Sequence, residues 1–225
     1  MKAEWIVRKG CPDLLLFFNG WGMDRRVADW LVSAWDDDGR DIAVLYDYGD
    51  LTLPAWLREA IAEADSVDLV AWSLGVWAAS NAGIEGVRRA VAINGTPIPV
   101  DTERGISPEI FTGTLESWND ANRKRFERRM MGGVPAEVVE SVRSDRAAAD
   151  QQAELRSIGE AALQSPAESS APLRFSKALI GGRDLIFTPE NQRRAWREAG
   201  VPITEIAAMP HFPFTHIAGW RELLA

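Results

Sequence analysis

The chain is short of the residues that several large function classes depend on. It has one cysteine, Cys11, in 225 residues, so no disulfide can close within it and no second thiol is present for a zinc site; the expectation is a reducing, cytoplasmic setting. No apolar run reaches the ~18 residues of a membrane-spanning helix. The start, M-K-A-E-W-I-V, is interrupted by Glu4, Arg8 and Lys9 before it could form the apolar core of a signal peptide, and no membrane partner is expected. Basic residues number 25 against 33 acids, a net charge of -8. Such a surface does not neutralise a phosphate backbone, so nucleic acid is not an expected partner either. There is no H-E-x-x-H, no Walker loop, no G-x-G-x-x-G and no internal repeat; no metal or cofactor is called for. Only two histidines, His211 and His216, could do acid–base work near neutral pH.

What the chain does have is a regular alternation of short apolar runs and amphipathic stretches. Hydrophobic residues at 46% and charged residues at 26% are those of a folded globular domain, and the length suits one α/β core with an insertion. Strands are expected at 4–8, 13–18, 42–46, 67–72, 89–93, 175–180 and 203–207. The run D-L-L-L-F-F at 13–18 is continuously apolar and reads as buried on both faces. Helices are expected between them: one capped by Asp24 with Val27, Trp30, Leu31 and Ala34 as its inward stripe, one from Pro54 with Leu57 and Ile61, one after Ser73, one opened by Pro189 and carrying Trp196, and a terminal one at 217–224. This order predicts a mostly parallel sheet with helices on both faces and functional residues at the carboxyl ends of the strands. From 101 to 172 strand character disappears. Helical stretches at 115–131 and 136–146 and a Ser/Pro/Ala-rich exit at 164–172 predict an inserted helical lid on a core made of residues 1–100 and 173–225.

Residues 67–80, V-D-L-V-A-W-S-L-G-V-W-A-A-S, read as strand, abrupt turn and helix, the local form of a nucleophile elbow with Ser73 at its tip. The first glycine of the usual G-x-S-x-G is Ala71 here. A serine hydroxyl needs an imidazole to take its proton and a carboxylate to orient that imidazole. His211, in P-H-F-P-F just after the last strand, is preferred over His216, and Asp184 follows the strand and glycines of G-G-R-D; Ser, Asp, His is the chain order of α/β-hydrolases. Attack on a carbonyl also needs donors for the developing oxyanion. The Leu74 amide, next after the serine, and the Trp21 amide, in the N-G-W-G loop after a buried strand, are the candidates. Ten tryptophans are many for the length; Trp21, Trp72 and Trp77 fall near Ser73 in sequence and suit either core or pocket wall. Arg123, Lys124, Arg125, Arg128 and Arg129 crowd the seven positions 123–129, whose single acid is Glu127, and need a solvated face or an acidic partner.

Taken together, F-F-N-G-W-G-M-D, A-W-S-L-G-V-W-A, I-N-G-T-P, G-G-R-D-L-I-F-T-P-E-N-Q and P-H-F-P-F resemble the short α/β-hydrolases of biotin synthesis, the BioG-type pimeloyl-[acyl-carrier protein] methyl ester esterases. The motifs run from residue 17 to residue 214 and leave out the lid. The resemblance implies an α/β-hydrolase fold and release of methanol from the pimeloyl-carrier-protein methyl ester, with Ser73 as nucleophile, His211 as base, Asp184 as its orienter and Trp21 with Leu74 as oxyanion hole. It also implies an acidic partner, an acyl carrier protein, for Arg123, Lys124, Arg125, Arg128 and Arg129. An apolar channel for the acyl chain would draw on Trp21, Trp77 and Phe111 by residue type. The same triad on another acyl ester or thioester, a related lyase, or an inactive hydrolase fold used for binding are the alternatives.

Overall fold

A computed structural model describes residues 1–163 and 173–225; the Ser/Pro/Ala-rich exit expected at 164–172 lies outside the described residues. Strands β1 (Lys2–Val7), β2 (Asp13–Phe18), β3 (Asp41–Tyr46), β4 (Ser66–Trp72), β5 (Val87–Ile93), β6 (Lys177–Arg183) and β7 (Ile203–Pro210) form one sheet in the order β1-β3-β2-β4-β5-β6-β7. β1 is antiparallel to β3, and the other neighbours pair in parallel. Helices α1 (Arg26–Trp35), α2 (Ala55–Glu63), α3 (Leu74–Asn81), α8 (Pro189–Glu198) and α9 (Trp220–Leu224) cover the sheet, while α4 (Pro108–Glu116), α5 (Asp120–Met130), α6 (Ala136–Val142) and α7 (Ala148–Leu163) lie between β5 and β6. The architecture is that of an α/β-hydrolase.

The alternation of side chains along each strand divides the interior in two. Leu14, Leu16 and Phe18 of β2 face one way, into a cluster with Leu57 of α2, Val76 of α3 and Trp196 of α8. Leu15 and Phe17 face the other, into a cluster with Val27 and Leu31 of α1 and with Trp220 and Leu223 of α9. β2 is therefore apolar at every position after Asp13 because both of its faces are covered. Leu15, Leu16, Phe17 and Phe18 are wholly buried, each contributing roughly 1.5–3 kcal/mol of burial free energy.

The expected alternation is present, and the differences fall mostly between β5 and β6. The helix expected at 115–131 is two helices. Ser107 and Pro108 start α4 earlier, and Asn119 ends the continuity by turning its Oδ1 onto the amides of Ala121 and Asn122, both 3.0 Å, to cap α5. The helix from 136 stops at Val142 with Arg143 already extended, and α7 adds a helix that the apolar spacing alone did not mark. Asp24 does cap α1, from one residue farther out than a normal N-cap. Its Oδ1 accepts the Arg26 amide at 3.0 Å while Oδ2 accepts the Asp145 amide at 2.9 Å, so one carboxylate secures α1 and the approach to α7. The terminal helix is shorter than expected, α9 being preceded by a 3-10 turn, Phe214–His216. No helix among the described residues is long and apolar enough to cross a membrane.

Candidate active site

Ser73 sits between β4 and α3 with φ 60° and ψ -131°, a conformation that a residue with a Cβ adopts only where its surroundings hold it. The Ser73 amide donates to Ile93 O at 2.9 Å and Ser73 O accepts the Val76 amide at 3.0 Å. Close packing does the rest. A Cβ on Gly75 would stand 2.4 Å from Asn19 O and 2.6 Å from Phe18 O, and one on Gly95 2.2 Å from Ser73 O. These two glycines let the start of α3 and the β5 loop close on the elbow. Ala71, where the usual motif has glycine, is wholly buried in the core cluster that includes α3.

Ser73, Asp184 and His211 meet at the carboxyl ends of β4, β6 and β7. His211 Nε2 lies 2.9 Å from Ser73 Oγ, and His211 Nδ1 lies 2.9 Å from both oxygens of Asp184. A carboxylate can only accept, so Nδ1 carries the proton and Nε2 is left to accept from the Ser73 hydroxyl. All three side chains are buried. Asp184 is aimed by three donors: the amides of Ile186 and Phe187 reach Oδ1 at 2.8 and 3.0 Å, and Gln192 Nε2 reaches Oδ2 at 3.0 Å. The His211 main chain is fixed by Trp72 Nε1, which donates to His211 O at 2.8 Å, and by Asn94 Nδ2, which donates to Pro210 O at 2.8 Å and His211 O at 3.0 Å. An imidazole held in this way can accept a proton from Ser73 and return it to a leaving group. His216 is exposed, with Nδ1 3.2 Å from its neighbour Thr215 Oγ1.

Neither the Trp21 nor the Leu74 amide meets an acceptor among the described residues, which leaves both free for a ligand oxygen. Ser73 and His211 form part of the wall of a mostly apolar cleft that also takes in Trp21, Phe111, Phe126 and Ile186, the kind of lining usual for small-molecule sites. A second cavity adjoins it, with Trp21, Phe126 and Met130 common to both walls. Phe111 is thus at the cleft, as expected. Trp77 is not; it packs in the core on the α3 side of the sheet. Four of the basic residues of α5, Lys124, Arg125, Arg128 and Arg129, are exposed, and Arg129 reaches the cleft and donates to Leu185 O at 2.7 Å. Arg123 departs from the expected patch. It turns inward to Glu127 at 3.1 Å, to Arg146 O at 2.9 Å and to Ser144 O, holding the α6–α7 connection.

Sequence reading missed the polar support behind the loops. Asn94 and Gln192 lay inside the quoted motifs without a role. Glu154 of α7 is buried, accepting the Tyr48 amide at 2.9 Å, Arg146 Nη1 at 2.6 Å and the Gly22 amide at 3.2 Å. Burial raises its pKa against the pull of Arg146 and the Tyr48 amide. No group of three or more His, Cys, Asp or Glu side chains among the described residues is arranged to hold a metal.

The family model described as pimeloyl-ACP methyl esterase BioG matches residues 1–223. The chain belongs to the BioG family. The crystal structure of BioG from Haemophilus influenzae superposes with a TM-score of 0.84 at 30% identity, over 100% of both chains. A protein of Bacteroides fragilis (strain 638R) named malonyl-[acyl-carrier protein] O-methyltransferase is 36% identical over 197 residues, 84% of this chain; the chain spans 38% of that relative's length. An esterase from Exiguobacterium antarcticum shares the fold at 14% identity, with a TM-score of 0.62 over 93% of this chain and 87% of that one. The family model and the Haemophilus structure carry the family assignment, and the Exiguobacterium enzyme shows the fold alone.

Proposed function

We propose that the protein is a serine carboxylesterase that hydrolyses the methyl ester of pimeloyl-[acyl-carrier protein] in biotin synthesis. The observation that carries the reading is the unbroken run of 2.9 Å contacts from Ser73 through His211 to Asp184 at the wall of an apolar cleft; BioG family membership supports the substrate class. Ser73 Oγ attacks the ester carbonyl carbon as His211 Nε2 takes its proton, forming the Oγ–C bond and moving the carbonyl pair onto oxygen. The Trp21 and Leu74 amides stabilise that charge, an oxyanion donor being worth ~10²–10³-fold in rate. On collapse the C–OCH₃ bond breaks, the imidazolium returns its proton to the methoxy oxygen, and methanol leaves the acyl group on Ser73. Water then gives a proton to His211 and attacks the acyl carbon; the Oγ–C bond breaks, the proton returns to Oγ, and the free acid departs.

In this reading the apolar wall at Phe111 and Ile186 takes the acyl chain, α4–α7 form the lid of a core made by residues 1–100 and 173–225, and the carrier protein docks beside the cleft mouth. Carrier proteins are acidic, and Lys124, Arg125, Arg128 and Arg129 give an acidic enzyme the local positive charge that such an encounter needs. A cytoplasmic location agrees with the free thiol of Cys11. The methyltransferase name of the Bacteroides relative does not compete, because most of that protein lies outside the match and a Ser-His-Asp relay has no part in transferring a methyl group.

The test is turnover of pimeloyl-carrier-protein methyl ester beside short methyl and p-nitrophenyl esters, with fluorophosphonate labelling. Wild type should prefer the carrier-linked ester and be labelled at Ser73; Ser73→Ala should lose roughly 10⁴-fold or more in kcat. Unchanged activity in Ser73→Ala would overturn the mechanism, and equal turnover of all esters would overturn the substrate.

A further inference from the structure

The loop that offers the Trp21 amide is held from one side by α7. Gln151 Nε2 donates to Gly22 O at 2.7 Å, Gln151 O accepts the Trp21 indole N–H at 2.7 Å, and Glu154 Oε2 accepts the Gly22 amide at 3.2 Å. Both groups of Gly22, the residue after the proposed oxyanion donor, are thereby fixed by side chains one helical turn apart on a single face. Gly22 has φ 73°, and a Cβ there would come within 3.2 Å of Gln151 Nε2, so loop and helix are fitted to each other. Asn19 on the other side of the loop is anchored to the sheet instead: its amide donates to Leu45 O at 2.9 Å and its carbonyl accepts the Tyr48 hydroxyl at 2.7 Å.

Glu154 is an expensive way to hold a loop. A carboxylate taken out of water is tolerated only where donors replace its hydration, and here the Tyr48 amide, the Gly22 amide and Arg146 do so, with Arg146 Nη2 also 2.8 Å from Asp47. Both Glu154 oxygens are thus partnered, which favours one arrangement of the groups bonded to them, while Gln151 Oε1, Arg146 Nε and, apart from its ion pair with Asp47, Arg146 Nη2 are buried without a hydrogen-bond partner among the described residues. Glu154 does not line the cleft. It bonds to none of the proposed reacting atoms; its partners are the Gly22 amide of the loop, the Tyr48 amide and Arg146.

We propose that Gln151 and Glu154 are positioning residues that set the Trp21 amide for the oxyanion, so that the seating of α7 on the core and the rate of acyl transfer are coupled. The inference rests on the esterase reading above. A misdirected donor is lost where charge develops, in the transition state, while the ground-state ester still binds. Gln151→Met removes the bond to Gly22 O, keeps the side-chain length and leaves the main-chain acceptor of the Trp21 indole in place; Glu154→Gln keeps the shape and removes the charge facing Arg146.

The experiment measures kcat and KM of both variants on a p-nitrophenyl ester, inhibition by a trifluoromethyl ketone that forms a tetrahedral oxyanion on Ser73, and thermal unfolding. The expected result is a kcat ~10-fold or more lower with KM within about twofold, and weakening of the ketone inhibitor in proportion to the loss in kcat/KM. Folded variants with kcat within twofold of wild type, or with a loss confined to KM, would overturn the proposal. If Glu154→Gln does not fold, Gln151→Met decides alone. Wild type and Ser73→Ala in the same series keep the two readings apart, because activity surviving in Ser73→Ala would remove the esterase mechanism itself.

Discussion

Asn94 donates to the carbonyl of His211 at 3.0 Å, joining the tip of β5 to the loop after β7. The same side chain donates to Pro210 O at 2.8 Å and accepts the Gly181 amide at 2.6 Å, so one amide group ties together the ends of three strands. Asn94 itself is wholly buried with φ 47°, a conformation that asparagine tolerates better than most residues. Asn94→Ala takes this partner from the Gly181 amide and Pro210 O, leaves His211 O with Trp72 Nε1 alone, and adds backbone strain. We expect a loss of about 2–4 kcal/mol in urea unfolding, with a fall in kcat as the His211 loop loosens. A destabilisation below ~1 kcal/mol would mean that the loop is held by Trp72 and its own packing.

Gln192 is the donor to Asp184 that side-chain exchange can test most directly. Its Nε2 bridges Asp184 Oδ2 at 3.0 Å and Phe187 O at 2.8 Å. Gln192→Ala should lower kcat ~10-fold with little change in KM, because the bond acts on the orientation of the relay and not on the ester. Gln192→Glu should do more: a second carboxylate beside Asp184 favours the protonated imidazole, so the acid limb of the rate–pH profile should move to higher pH. An unmoved acid limb in Gln192→Glu would show that the two side chains are decoupled in solution.

The strand–helix alternation and the strand-end positions of Ser73, Asp184 and His211 were legible because each rests on local chemistry: apolar runs, turn glycines, and residue types that the reaction needs. The supporting residues were not, because a buried Glu or Gln has the same letter as a solvated one. In α7 the signal was present in a weak form. Gln151, Glu154, Leu155 and Ile158 share the buried stripe at the spacing of one helix face, but two of the four are polar, and polarity conceals the period. Trp77 was placed by residue type at the channel, whereas the turn of α3 carries it into the core. Arg123 was grouped with its neighbours by charge, although its position on α5 points it toward the carbonyls of Ser144 and Arg146.

That division of α5 makes a prediction of its own. Lys124, Arg125 and Arg128 are exposed and have no ion-pair partner among the described residues, so charge reversal there should act on docking. Lys124→Glu, Arg125→Glu and Arg128→Glu should each raise KM for the carrier-linked ester several-fold at low salt and flatten its salt dependence, with a far smaller effect on a p-nitrophenyl ester. Arg123→Ala should instead lower stability, since it removes two bonds to carbonyls of the α6–α7 connection and the i,i+4 pair with Glu127 within α5. Equal losses on both esters for the exposed trio would remove the docking role.

At the opposite end of the sheet from Ser73, Asp68 should govern the response to acid. Its carboxylate is buried on β4 and bonded by Arg88 at 2.6 and 3.0 Å, by Arg89 and by Arg40. Burial by itself would raise its pKa, but the three guanidinium groups override that and hold it down to about 2, against an ordinary value of 3.8. The folded form therefore binds fewer protons than the unfolded chain between these two values, and stability falls as pH falls through that window while changing little above it. Asp68→Asn leaves three guanidinium groups facing a neutral amide and should cost about 3–5 kcal/mol at pH 7. Because acid removes the same charge from the wild type, the gap between wild type and variant in urea midpoint should narrow from pH 5 to pH 3. A gap of constant width across that range would show that Asp68 supports the sheet by shape and hydrogen bonding and that its charge adds nothing.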